Sequence, residues 1–264
     1  LKKLKIWNSV RTLNEVQESV YYNGLVDSTT QNDNISYLDN IVSTNTIVTN
    51  LITYIPMYYN TNNNIYYNDY KIFNDSSTYN HTINQFGNTH HRLRQNVIVP
   101  SEATVKFGIT SIYFDGNGDY LSIPHSNNFN LGSNNFTIEF WVNFESFIDW
   151  GTIITDGFGA GVAGTSFYIS NGSDGFTPSA HNKLQMALST DGLGFSTSST
   201  FAAFGSVDNT FGYTFMHGAT TMNINTWYHI VIVRNNDNIK FYINGVIDGD
   251  FNLTTNFTLH NSPN

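Results

Sequence analysis

The chain contains no cysteine, which excludes a disulfide framework and any thiolate metal site and leaves the redox compartment open. It is also short of charge: Asp, Glu, Lys and Arg make up 12% of its 264 residues, against about 25% in an average soluble protein. Asn, Ser and Thr supply most of the polar surface instead. Of the few charges, 11 are basic and 20 acidic, a net charge of −9. That balance gives a phosphate backbone no electrostatic footprint, so nucleic acid is excluded as the main partner. No apolar run approaches the ~18 residues that a membrane-spanning helix needs. No signal peptide opens the chain, and its first residue is Leu rather than Met; a processed product or an internal piece is expected.

What is present is apolar and aromatic. With 40% hydrophobic residues, 20 Phe and 16 Tyr, the chain is not wholly disordered and is long enough to bury one large β-sandwich core. The stretch 107–144 alternates apolar and polar residues in short runs separated by turn residues, the mark of antiparallel strands with one buried face. In its last run Phe136, Ile138, Phe140, Val142 and Phe144 share one face, and Thr137, Glu139, Trp141 and Asn143 share the other. Between residues 112–114 and 120–123, the sequence Asp115-Gly116-Asn117-Gly118-Asp119 predicts a hairpin turn. Residues 226–234 are apolar on both faces, as in a central covered strand. Asn244-Gly245 predicts a type I′ turn between strands at 239–243 and 246–248. Residues 151–156, 165–170 and 183–189 have strand length, and 191–221 reads as long rim loops with a short strand or two, where binding residues tend to sit. At the start, residues 4–7 form a short strand. Thr12 with Glu15 then makes a capping box for a helix whose apolar face holds Leu13, Val16 and Val20. Residues 27–50 read as an Asn/Thr/Ser-rich linker.

Lys106-Phe107-Gly108, Ser111, the run from Phe114 to Leu121, Pro124 and the FTIEFWV strand at 136–142 together resemble the laminin G-like, concanavalin A-like jelly-roll family. Residues 226–248 and the turn at 66–82 resemble it too. The resemblance implies an all-β antiparallel jelly-roll sandwich. Residues 1–24 resemble the family's closing strand and helix, which normally end the domain and here come first. Lys2-Lys3 stand where the family usually has Asp-Glu, so a cation role for that Asp is not carried over. The resulting organisation is a closing strand and helix at 1–26, a linker at 27–50 and a jelly-roll domain at 51–264 that lacks its closing strand. A slice of a tandem array, a permuted domain whose first segment fills its own gap, and a segment that completes a neighbouring subunit all fit that order.

Glycan hydrolases of this superfamily carry two Glu flanking an Asp on one strand. Here Glu139 stands alone on its strand, with Glu145 six positions away, so catalysis is not expected. Asp115, Asn117 and Asp119 present alternating oxygens of the kind that suits Ca²⁺, the candidate cofactor, but they equally suit a turn that needs Asp, Asn and Gly, and the turn is favoured. Asp75 and Asp156 are ligands or caps in similar turns. His90 and His91 are read as a solvated loop, and His229 as a hydrogen-bonded core residue. Trp141, Trp150, Phe158, Tyr168, Phe211 and Tyr213 are the aromatics taken as candidates for stacking on a sugar. The expected function is non-enzymatic adhesion or glycan binding at an extracellular or virion surface, with a glycan or cell-surface ligand and with copies of itself or other structural subunits as partners. A purely structural subunit joined by strand exchange is the alternative, and a degenerate glucanase the weaker one.

Overall fold

The computed structural model of the chain describes residues 1–22, 50–55, 73, 75, 77–93, 110–148, 151–157, 166–171, 181–189, 201–204, 207–208, 215–253 and 258–261. β1 (Lys2–Trp7) and α1 (Leu13–Tyr22) come first, followed by β2 (Leu51–Ile55), β3 (Asn84–Phe86), β4 (His90–Leu93), β5 (Thr110–Tyr113) and β6 (Tyr120–Ser122). Then come β7 (Phe136–Asn143), β8 (Thr152–Asp156), β9 (Phe167–Ser170), β10 (Gln185–Leu188), β11 (Phe201–Phe204), β12 (Val207–Asp208) and β13 (Phe215–His217). β14 (Trp227–Asn235), β15 (Asn238–Ile243) and β16 (Val246–Leu253) complete the series.

A seven-stranded sheet runs β11-β16-β15-β14-β7-β1-β2, and a five-stranded sheet runs β12-β13-β10-β9-β8. Every described strand pair is antiparallel. The alternation in sequence is what lets the sheets stack. Ile138, Phe140, Ile230, Ile232, Phe241 and Phe251 of the larger sheet meet Ile169, Met186 and Met216 of the smaller one in a single core. This is the all-β sandwich expected. The β15–β16 turn has Asn244 at φ 53° and Gly245 at φ 78°, the two positive values of a type I′ turn.

The slot beside β7 left open in 51–264 is taken by β1 of the same chain. Ile6 lies opposite Ile138 on one side and Thr53 of β2 on the other, and Leu4 and Ile6 enter the core. α1 then lies on the outer face of the larger sheet, with Val16 against Val231, Val233 and Tyr242. Its capping box forms as predicted: Thr12 N–H donates to Glu15 Oε2 at 2.8 Å, and Glu15 N–H to Thr12 Oγ1 at 3.4 Å. Leu13 does not share the buried face with Val16; it is 48% exposed. The polar face of β7 is not solvated: Ser9 and Arg11 of the turn after β1 hydrogen-bond Thr137, Lys5 reaches Glu139, and Thr137, Glu139 and Trp141 are as buried as the core face. The linker at 27–50 lies outside the described residues apart from Asn50.

Two local expectations are corrected. Residues 115–119 do not close a hairpin: β5 pairs with β4 and β6 pairs with β3, forming two separate two-stranded ribbons. The turn carries the chain from one ribbon to the other. His90 and His91 are also not in a loop; they are in β4, opposite Tyr113 and Ile112.

Candidate functional site

β7 carries a single acid, Glu139. It is 2% exposed. Lys5 Nζ lies 3.0 Å from Glu139 Oε1, and His229 Nε2 lies 3.2 Å from the same oxygen. The Trp141 ring flanks the imidazole, with centroids 4.9 Å apart. Burial pushes the Glu139 carboxyl up, but Lys5 and then His229 outweigh it and hold the group well below the usual carboxylate range. A general acid needs a proton near working pH and access to substrate; Glu139 has neither. Glu145 lies six residues on, in the bend that follows the end of β7 at Asn143, so the two acids do not share a strand as a glycosidase pair of this superfamily would.

The second place is the rim where the two ribbons meet. Asp119 joins their turns: one carboxylate oxygen accepts the Asn88 N–H, and the other accepts the Asp115 N–H at 2.9 Å. Asp115 Oδ1 in turn accepts the Asn117 N–H at 2.7 Å. Partial desolvation raises the Asp119 pKa, and the N–H donors of Asp115 and Asn88 more than reverse it. These contacts close the turn on itself, so a cation at Asp115, Asn117 and Asp119 would compete with backbone N–H groups for their oxygens. Among the described residues no three His, Asp or Glu are gathered around a common point. Asp75 acts as a cap: its Oδ2 accepts from Ser77 Oγ at 2.9 Å and from His81 N–H at 3.0 Å. Asp156 accepts from the Ser166 hydroxyl, and burial pushes its carboxyl up against the opposing effects of Ser166, His125 and His260.

Directly beside the Asp119 turn, Phe86 and Tyr120 face each other across the β3–β6 ribbon. Their rings are 4.4 Å apart and 9° from parallel, and they remain 41% and 50% exposed. The rim opens on a cavity of about 2080 Å³ whose lining includes Tyr120, Asp115, Asp119, Glu145, Asn143 and Ile148.

Of the aromatics proposed from sequence, Trp150, Phe158, Phe211 and Tyr213 lie outside the described residues. Tyr168 and Trp141 are 1% and 2% exposed and have no face open to a sugar. Each occupies the strand face opposite its core neighbours, and that face is covered too. Phe86 and Tyr120 were not singled out. The signal was there in Asn84-Gln85-Phe86-Gly87-Asn88, one large apolar residue among amides with no alternating partners to bury it.

Residues 115–264, more than half of the chain, match the family described as the concanavalin A-like lectin/glucanases superfamily. A solved structure similar to this chain is the crystal structure of the botulinum neurotoxin serotype D/C VPI 5993 binding domain, at 16% identity and a TM-score of 0.43. The similarity covers 73% of this chain and 42% of that one, so the chain spans less than half the length of that structure. No curated protein matches. By its family match over the strands of both sheets, this chain belongs to the concanavalin A-like lectin/glucanases superfamily.

Proposed function

We propose that this chain is a non-enzymatic carbohydrate-binding module working at an extracellular or virion surface. Residues 1–26 supply the closing strand and helix of the 51–264 sandwich, and 27–50 is the connection between them. The observation that carries the reading is the state of Glu139. Glu139, the one acid of β7, is buried and ion-paired to Lys5 of the N-terminal segment, and the two Glu that a hydrolase of this superfamily needs on one strand are not there. The fold's binding surface without its hydrolytic pair is a lectin-like surface. Substrate access shifts to the rim around Asp115 and Asp119, which stays open above the cavity.

The test is a glycan array followed by product analysis of the oligosaccharides that are retained. Retention without cleavage is expected. Cleavage would overturn the non-enzymatic reading, and a silent array would favour the purely structural subunit. An exchanged β1 would bring the same Leu4, Ile6 and Lys5 contacts from a neighbour; the single-chain module is preferred here on the pairing of β1 with β7 and β2 of its own chain.

A further inference from the structure

We infer that Phe86 and Tyr120 form the stacking platform of a sugar subsite, and that its ligand is a neutral hexopyranose with an unbroken C–H face, such as a β-linked glucoside or galactoside. The inference rests on the carbohydrate-binding reading above and assigns it a place and a ligand class.

The two rings stack face to face, with centroids 4.4 Å apart and planes 9° from parallel, and about half of each side chain remains in water. A cross-strand aromatic pair steadies a ribbon, which accounts for the contact between the rings. It does not account for the half of Tyr120 left uncovered where that residue lines the cavity, a place where pockets set apolar walls beside a few polar groups. An aromatic face carries negative charge density and attracts the weakly positive C–H groups on one face of a pyranose. In a face-to-face pair the inner faces cover each other, so the sugar takes the outer face of Tyr120 while Phe86 backs that ring.

The platform is held rigidly. Thr89 Oγ1 donates to the Phe86 carbonyl at 2.8 Å, and Asp119, the residue before Tyr120, clamps the turns of both ribbons. Sugar hydroxyls would meet Asp115, Asn117 and Asn88 at the turn tips, all exposed.

Charge sets the ligand class. The cavity lining among the described residues includes Asp115, Asp119, Glu145 and Asp156 and no Lys or Arg, and the whole chain carries −9. A sialylated or sulfated glycan would bring like charge to this rim, while hydroxyl groups donate to its carboxylates and amides.

The experiment is isothermal titration with saturation-transfer NMR on the full chain, using methyl β-galactoside, lactose, cellobiose and 3′-sialyllactose as probes. Lactose or cellobiose should bind, with saturation strongest on the C–H protons of one ring face, and sialyllactose at least several-fold more weakly. Tyr120→Ala should weaken binding about tenfold or more, on the scale of a lost stacking ring. Phe86→Ala should weaken it less, and Tyr120→Trp should retain it. Tyr120→Leu keeps apolar volume in the ribbon and should still lose the sugar, which separates stacking from folding; circular dichroism of each variant checks the fold. If the wild type binds neutral sugar and Tyr120→Leu and Phe86→Ala bind it within twofold, the site is elsewhere while the module reading stands. If no probe binds, the site and its ligand class fall, and the glycan array decides whether the module reading falls with them. If sialyllactose binds best, the ligand class is overturned.

Discussion

Glu139 keeps a negative charge where water does not reach, and it does so because Lys5 and His229 share its Oε1. Removing one member of such a pair leaves an uncompensated buried charge, typically about 3–5 kcal/mol, whereas replacing both with apolar groups is far milder. Lys5 remains partly exposed at 17%, so Lys5→Met should fall at the lower end, about 3 kcal/mol. Lys5→Met combined with Glu139→Leu should recover much of that loss in urea denaturation. The pH dependence has a definite sign. The folded-state pKa of Glu139 is depressed, so the unfolded chain binds more protons once pH drops below the ordinary Glu value of about 4.3. The stability Glu139 contributes is thus fully present above that pH and is lost as pH falls further toward its folded value. Denaturation midpoints measured between neutral pH and about pH 3 should decline at the acid end, and Glu139→Gln should flatten that part of the decline. An unchanged acid slope in Glu139→Gln would show that other carboxylates govern it.

Among the elements, those built from neighbours in sequence were legible, and those joined across the chain were not. The Thr12–Glu15 capping box and the Asn244-Gly245 turn are local chemistry, and both formed as read. The 115–119 hairpin was misread because its glycines fit any tight turn; the partners of β5 and β6 are β4 and β3, which local pattern cannot announce. Leu13 satisfied helical periodicity and is still exposed, since periodicity gives a face but not how far the underlying sheet extends beneath it. The candidate site suffered from the same limit: an aromatic residue becomes a platform only through what is packed around it, and that is tertiary. The ribbons do share one element whose role is testable. Gly87 has φ 67°, and a Cβ there would collide with Asp119 Oδ1 and sit 2.7 Å from the Gly118 carbonyl oxygen. Gly87→Ala therefore combines a disfavoured backbone with a steric clash at the clamp, and should destabilise by more than about 1 kcal/mol. Thermal denaturation measures that loss, and the same variant should weaken sugar binding while leaving the Phe86 and Tyr120 side chains in place. Wild-type stability in Gly87→Ala would mean that the clamp is dispensable.

At the scale of the molecule, the order of segments in the chain and the order of strands in the sheet disagree. β1 is first in sequence yet lies inside the larger sheet, between β7 and β2. The gap in 51–264 could be read from sequence, because a sandwich short of a strand leaves core and backbone groups uncovered. What fills it could not, because pairing over that separation has no local signature. A single covalent link distinguishes filling by the same chain from filling by a neighbour. Lys5 and Glu139 are directly opposite in the antiparallel pairing of β1 with β7, where Cα atoms lie about 4.5–5.5 Å apart, inside the range a disulfide spans. With no native cysteine to compete, Lys5→Cys/Glu139→Cys has one pairing available, and it removes both partners of the ion pair together. Oxidation at low micromolar concentration should give a monomer that runs faster on a non-reducing gel. Closing so long a loop should also stabilise the fold, by at most about 4–5 kcal/mol in the chain-entropy model. Mixing the two single-cysteine variants before oxidation should yield no crosslinked dimer if β1 stays in its own sheet. A dimer that forms in that mixture and grows with time would mean that β1 passes between copies, making the closing strand of one sandwich the link to the next.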